Sequence, residues 1–114
     1  MMPSSPIGEA RIRLPDRITP GEVIRVTSII SHPMDTGFFR TADGQPIPAF
    51  FIKDVVITYG DQQVARFEWT SGISCDPVVS FSVKAGKEAP LTMVWTDSKG
   101  GVYRRSVDIV FASA

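Results

Sequence analysis

The chain has one histidine and one cysteine, and together they are the residue types of nucleophilic catalysis. His32 could act as the general base and Cys75 as the thiol it activates, with Asp35 or Asp76 orienting the imidazole. Separation along the chain is no objection, because such groups meet in space. A catalytic thiol, however, is usually held at a helix N-terminus or beside a cation, and no helix is predicted to supply the first. The same residues also read structurally: His32 ends a strand and bonds to loop backbone, and Cys75 sits in the turn "SGISCDP" as a buried free thiol. His32 and Met34 offer an imidazole and a thioether, both copper ligands, but two donors two residues apart do not make a set. Met1 and Met2 are terminal and Met93 falls in a core pattern. There is no Gly-rich phosphate loop joining a strand to a helix, and no pair of acids suggests glycoside hydrolysis. The expectation is a chain with no catalytic residues, no cofactor and no metal of its own.

The aromatic residues around His32 suggest a different role. The stretch "SHPMDTGFFR" sets Phe38 and Phe39 side by side in a loop running from His32 to Pro48. Loops of that length in compact domains are usually functional or disordered, and Met34, Phe38, Phe39 and Ile47 argue against disorder. Two adjacent rings cannot easily both turn inward, and exposed apolar patches tend to mark contact sites. In the "AFFI" that follows, Phe50 and Phe51 point to opposite faces if the segment is extended. Met34, Phe38, Phe39 and one of Phe50 or Phe51 are therefore expected to form an apolar contact surface, since interface centres favour aromatics and methionine. The structural alternative has one ring of the Phe38-Phe39 pair capping the end of the domain and the other packed under the loop.

The elements that position these residues are strands. Val (12) and Ile (11) far outnumber Leu (2), and branching at Cβ suits a pleated sheet. Nine glycines and nine prolines punctuate the chain too often for long helices. "EARIRLP" alternates with Ala10, Ile12 and Leu14 inward. "VIRVTSIIS" puts Ile24, Val26 and Ile30 on one face. "AFFIKDVVITY" is apolar on both faces, as a central strand should be. "YGDQQ" makes a hairpin turn into "VARFEWT", with Ala65, Phe67 and Trp69 on one side. "PVVSFSV" turns Val79, Phe81 and Val83 inward, and "LTMVWTD" does so with Leu91, Met93 and Trp95. "DSKGG" then leads into "VYRRSVDIVF", burying Tyr103, Val107, Ile109 and Phe111. About seven antiparallel strands in 114 residues predict a single all-β domain, an immunoglobulin-like β-sandwich, over 9–114 after a flexible N-terminus of 1–8. A small open barrel is the alternative architecture.

Twelve basic residues balance twelve acidic ones, and the longest basic run is Arg104-Arg105, so neither nucleic acid nor an anionic membrane surface is an expected partner. "MMPSSPIGEA" lacks a basic n-region and an apolar h-region, so it is not expected to be a signal peptide. No run approaches the roughly 18 apolar residues of a membrane span.

"SHPMDTGF", "GQPIPAFFIKDV", "VSFSVKA" and "VWTDSKGG" resemble the SoxZ family of sulfur-oxidation proteins in order and spacing, from about Glu9 to near the C-terminus. The resemblance implies an immunoglobulin-like sandwich and a non-catalytic role in a carrier complex. The partner would be SoxY, whose Gly-Gly-Cys-Gly-Gly arm holds sulfur intermediates covalently and presents them to the other enzymes of thiosulfate oxidation. This chain ends "VDIVFASA", without such an arm. The resemblance further implies a periplasmic location reached on the partner's export signal. Without a partner, the apolar surface of the His32–Pro48 loop is itself expected to drive self-association as a two-fold homodimer. In that oxidising compartment an exposed Cys75 could form an interchain disulfide. The competing expectation is a stand-alone immunoglobulin-like binding module of another pathway.

Overall fold

The computed structural model describes residues 7–38, 40–70, 72–73 and 75–112. Seven strands form: β1 (Ala10–Arg13), β2 (Val23–Ile30), β3 (Ile52–Tyr59), β4 (Gln62–Glu68), β5 (Val78–Lys84), β6 (Ala89–Asp97) and β7 (Val102–Ile109). They make two antiparallel sheets, ordered β1-β2-β5 and β4-β3-β6-β7. The all-β sandwich of seven strands is thus present. β4 stays with its hairpin partner β3 rather than crossing to β5's sheet, unlike the constant-type immunoglobulin arrangement.

The period of two decides what is buried. Ile24, Val26 and Ile30 of β2 and Val83 of β5 face Ile52, Val55, Ile57, Leu91, Met93 and Trp95 of the other sheet across a common core. Phe67, Trp69, Phe81, Tyr103 and Val107 are partly buried against its rim. β1 and β7 approach each other and close one side of the sandwich. Gly60, at φ +63°, is the first residue of the two-residue β3–β4 turn, the position where a II′ hairpin calls for glycine.

Three local differences from the expected layout matter later. The strand expected from Ala49 starts at Ile52, and Phe50 makes only an isolated bridge to Asp35. The loop before it is not structureless: Asp35 and Phe50 exchange backbone hydrogen bonds (2.7 and 3.0 Å), and Arg40 bridges to Pro46. The expected flexible N-terminus falls mostly outside the described residues, but Gly8 is anchored. Its N–H donates to the Ser31 carbonyl (2.7 Å), and a Cβ there would lie 2.1 Å from the Tyr103 ring.

Candidate functional site

β2 ends at Ile30 and delivers His32 into the closed end of the sandwich, where the residue is only 1% exposed. Its backbone is clamped by Asp76 of the β4–β5 connection: the His32 N–H donates to Asp76 Oδ1 (2.9 Å) and the Asp76 N–H to the His32 carbonyl (2.8 Å). Nδ1 accepts the Met34 N–H (3.2 Å). The proton of the neutral ring therefore sits on Nε2, which faces Asp97 Oδ2 at 3.5 Å. That separation is long for an N–H···O bond. Among the described residues Nε2 is the buried side-chain polar atom without a hydrogen-bond partner. Phe50 lies against the imidazole (4.4 Å between centroids), and Lys99 Nζ sits 4.4 Å over the Phe50 ring.

Asp97, at the end of β6, is also 1% exposed. Oδ1 accepts the N–H groups of Lys99 (3.0 Å) and Gly101 (2.8 Å), which shapes the "DSKGG" turn, and Oδ2 accepts the Tyr103 hydroxyl (2.5 Å). Burial works to raise the Asp97 pKa, but the Tyr103, Gly101 and Lys99 hydrogen bonds, with the His32 imidazole facing it, together hold it below the ordinary carboxylate value. The Tyr103 phenol is pushed up to about 12 by burial and by its bond to this carboxylate. His32 moves down from 6.5 because burial disfavours the imidazolium more than Asp97, Asp35 and Asp76 favour it. Protonation would also put a hydrogen on Nδ1, against the Met34 N–H.

The residues singled out from sequence separate here. Met34, expected on the surface, is 4% exposed. It is held at φ +52°, and its sulfur accepts the Ile52 N–H (3.2 Å), so a thioether satisfies a buried backbone donor. Phe38 is 88% exposed. Phe39 lies outside the described residues. Phe50 is half-buried between His32 and Lys99, and Phe51 packs on the core while exchanging hydrogen bonds with Ser98. Of the expected apolar surface Met34 is the member drawn inward, Phe38 stands out, and of the Phe50–Phe51 pair it is Phe51 that packs on the core. Cys75 is an exposed free thiol, against the buried thiol weighed above. Both nitrogens of His32 are turned to Met34 and Asp97 rather than to Cys75, and neither Asp35 nor Asp76 orients the ring. The copper donors are likewise engaged, Nδ1 with an N–H and the Met34 sulfur with another. No group of three or more His, Cys, Asp or Glu among the described residues could hold a metal ion. Asp97 and Tyr103 were missed as members of this cluster. An aspartate opening a Gly-rich turn is a turn signal in any sequence, and nothing in the order of residues says that this one also meets a histidine.

Two outcomes follow from this geometry. His32 has a folded-state pKa below its unfolded value, so its contribution to stability is fully present above about pH 6.5 and declines as pH falls below that. Thermal unfolding midpoints should drop between about pH 7.5 and about pH 5.5, and the drop should shrink in His32→Gln. An identical pH slope in both proteins would remove His32 as the source. Asp97→Asn would turn an amide N–H₂ or a weaker acceptor toward Tyr103 and His32, and should cost about 2 kcal/mol by denaturant titration. A loss below about 0.5 kcal/mol would show that the carboxylate charge is dispensable.

With this geometry in view, comparisons with known proteins place the chain. The described residues superpose on a superoxide reductase (neelaredoxin) from Ignicoccus hospitalis with a TM-score of 0.66, at 15% identity over 90% of this chain and 80% of that one. They also match the sulfur carrier protein SoxY from Chlorobium limicola f thiosulfatophilum with a TM-score of 0.59, at 20% identity over 87% of this chain and 71% of that one. At such identities the likeness is one of fold. No curated protein sequence matches the chain. The family model of the sulphur oxidation protein SoxZ matches residues 12–108, nearly the whole domain, and the chain belongs to that family.

Proposed function

We propose that this chain is the non-catalytic subunit of a two-chain sulfur carrier. It pairs with a SoxY-type chain whose cysteine arm holds the sulfur intermediates of thiosulfate oxidation. The match to the SoxZ family over residues 12–108 is the observation that carries the reading. The site supports it: the one imidazole is buried, with both nitrogens facing partners that order the loop, so it is not free to act as a base. The complex would work in the periplasm, the chain being exported with its partner.

The partner would dock on the loop that carries Phe38. That ring is exposed, and the Phe38 backbone N–H donates to Thr36 Oγ1 (3.1 Å) within a loop pinned by the Asp35–Phe50 and Arg40–Pro46 bridges. A ring presented on an ordered loop loses little entropy on binding. Phe39 and the half-buried Phe50 would extend this contact, with Met34 and Phe51 supporting it from beneath. Without the partner, the same rings would drive self-association. Cys75, exposed on the β4–β5 connection, would be open to an interchain disulfide.

Co-expression with a SoxY-type chain should give a 1:1 complex by size exclusion and intact mass. The isolated chain should show no thiosulfate oxidation. Phe38→Ala combined with Phe39→Ala should weaken the complex by about 2 kcal/mol, or about thirtyfold in Kd. Unchanged affinity with a native circular dichroism spectrum would move the contact elsewhere. Non-reducing electrophoresis of material from the native compartment tests Cys75: a band unaffected by reductant would end the disulfide proposal.

A further inference from the structure

Charge is divided unequally between the two sheets. β3, β4, β6 and β7 carry Lys53, Arg66, Arg104 and Arg105 against Asp54, Glu68, Asp97 and Asp108. β1, β2 and β5 carry Arg11, Arg13, Arg25 and Lys84 and no carboxylate. The pairing register sets Arg11 opposite Ile29, Arg13 opposite Thr27, Arg25 opposite Ser82 and Lys84 opposite Val23. All four cations thus share the outer face, opposite to Ile24, Val26 and Ile30, and all four are exposed. Rows two residues apart are about 7 Å apart, within the Debye length of about 8 Å at physiological salt, so the charges act as one field. None of the four makes an ion pair among the described residues; in the other sheet Arg66 pairs with Asp54 and Glu68, and carboxylates on the same strands offset its remaining cations. Between them lie the exposed side chains of Val23, Ile29 and Val78 and a hydroxyl pair, Thr27 with Ser80 (3.1 Å). Glu9 and Asp76 border the face at one end, beside Arg11 and Ile29, and Glu22 precedes Val23 at the other.

We propose that this face is a transient docking surface for the acidic surface of an enzyme that acts on the carried sulfur. The proposal rests on the carrier reading above and goes beyond it. A second copy is disfavoured, because an isologous two-fold contact through this face would oppose cation to cation. A permanent subunit is also a poor fit: the face has no aromatic residue or methionine, and its exposed aliphatics are one cross-strand pair, Ile29 with Val78, and Val23 beside Lys84, while permanent interfaces are the more hydrophobic class. Nucleic acid would meet no stacking ring, and four cations on a chain of zero net charge make a small phosphate-binding footprint. An array of cations around so small an aliphatic area favours fast, steered encounter and easy release. A carrier that must visit more than one enzyme needs both.

The test uses the purified heterodimer with the SoxY-type chain and each purified thiosulfate-oxidation enzyme of the same organism. Association rates are measured by stopped flow, and heterodimer formation by size exclusion, in the native protein and in Arg13→Glu combined with Arg25→Glu. At about 20 mM NaCl the charge reversal should slow association with at least one enzyme about tenfold, and the two proteins should converge at about 300 mM. Arg13→Gln with Arg25→Gln should give an intermediate loss, which guards against a fold defect in the reversed variant. Rates that are unchanged and insensitive to salt for every enzyme would overturn the proposal. So would a variant that loses the heterodimer while keeping its fold, since the face would then belong to the permanent partner. If the native chain forms no heterodimer at all, the carrier reading fails and this proposal with it.

Discussion

A carboxylate shut away from water has to be met by donors from every direction, and the closed end of this sandwich is laid out by how Asp97 is met. Two backbone N–H groups of its own turn take Oδ1, and a phenol from β7 takes Oδ2. That arrangement leaves His32 Nε2, arriving from β2, as the remaining donor facing it. The tautomer this selects makes Nδ1 an acceptor, and the acceptor orders Met34. Met34 in turn gives its sulfur to the first N–H of β3. One buried charge thereby sets a line of contacts from the β6–β7 turn through the end of β2 to the start of β3. Gly101 belongs to the same constraint, because a Cβ at that position would come within 2.6 Å of Asp97 Oδ2 and 2.8 Å of the Tyr103 hydroxyl.

The consequence for function is that the groups best suited to chemistry are used up as structure. An imidazole beside a carboxylate and a phenol looks like acid–base machinery when the residues are simply gathered together. Burial and direction decide otherwise: the ring is closed over by Phe50, and Lys99 in turn covers Phe50. What the cluster does provide is a fixed base for the loop beyond it. The Asp35–Phe50 pairing lies beside the histidine, so the loop that carries the exposed ring of Phe38 is closed at its root by two backbone hydrogen bonds.

Most of the strands were legible because a two-sided sandwich imposes a period of two on every strand. Ile24, Val26 and Ile30, and Leu91, Met93 and Trp95, fall on the core face as their spacing implies. Legibility failed where a residue serves the backbone rather than a face. Met34 looked like surface in a polar loop, yet a thioether can accept a hydrogen bond, and the Ile52 N–H had no strand partner to give it one. Phe50 and Phe51 looked like the start of β3, but the loop's own bridge and Ser98 claim their backbone groups first. The meeting of His32 with Asp97 depends on two strand ends from different sheets reaching the same depth, which local spacing does not encode.

The same fold is shared with a superoxide reductase and with SoxY at 15% and 20% identity, so the sandwich alone cannot assign a role. Distinctions have to lie in what each chain does with its ends and its faces. Here one end is locked by an internal hydrogen-bond network, and the outer faces differ in charge although the chain as a whole is neutral. Outward positions of a sheet are the least constrained by folding, since their side chains pack on nothing. Asp97 belongs to the closed end, but Asp54, Glu68 and Asp108 of the larger sheet lie outside the core, so their lack of any counterpart in the three strands of the other sheet is not a requirement of packing. A division of that kind affects what approaches each face, and selection acting on encounters rather than on stability is the physical reason to expect it.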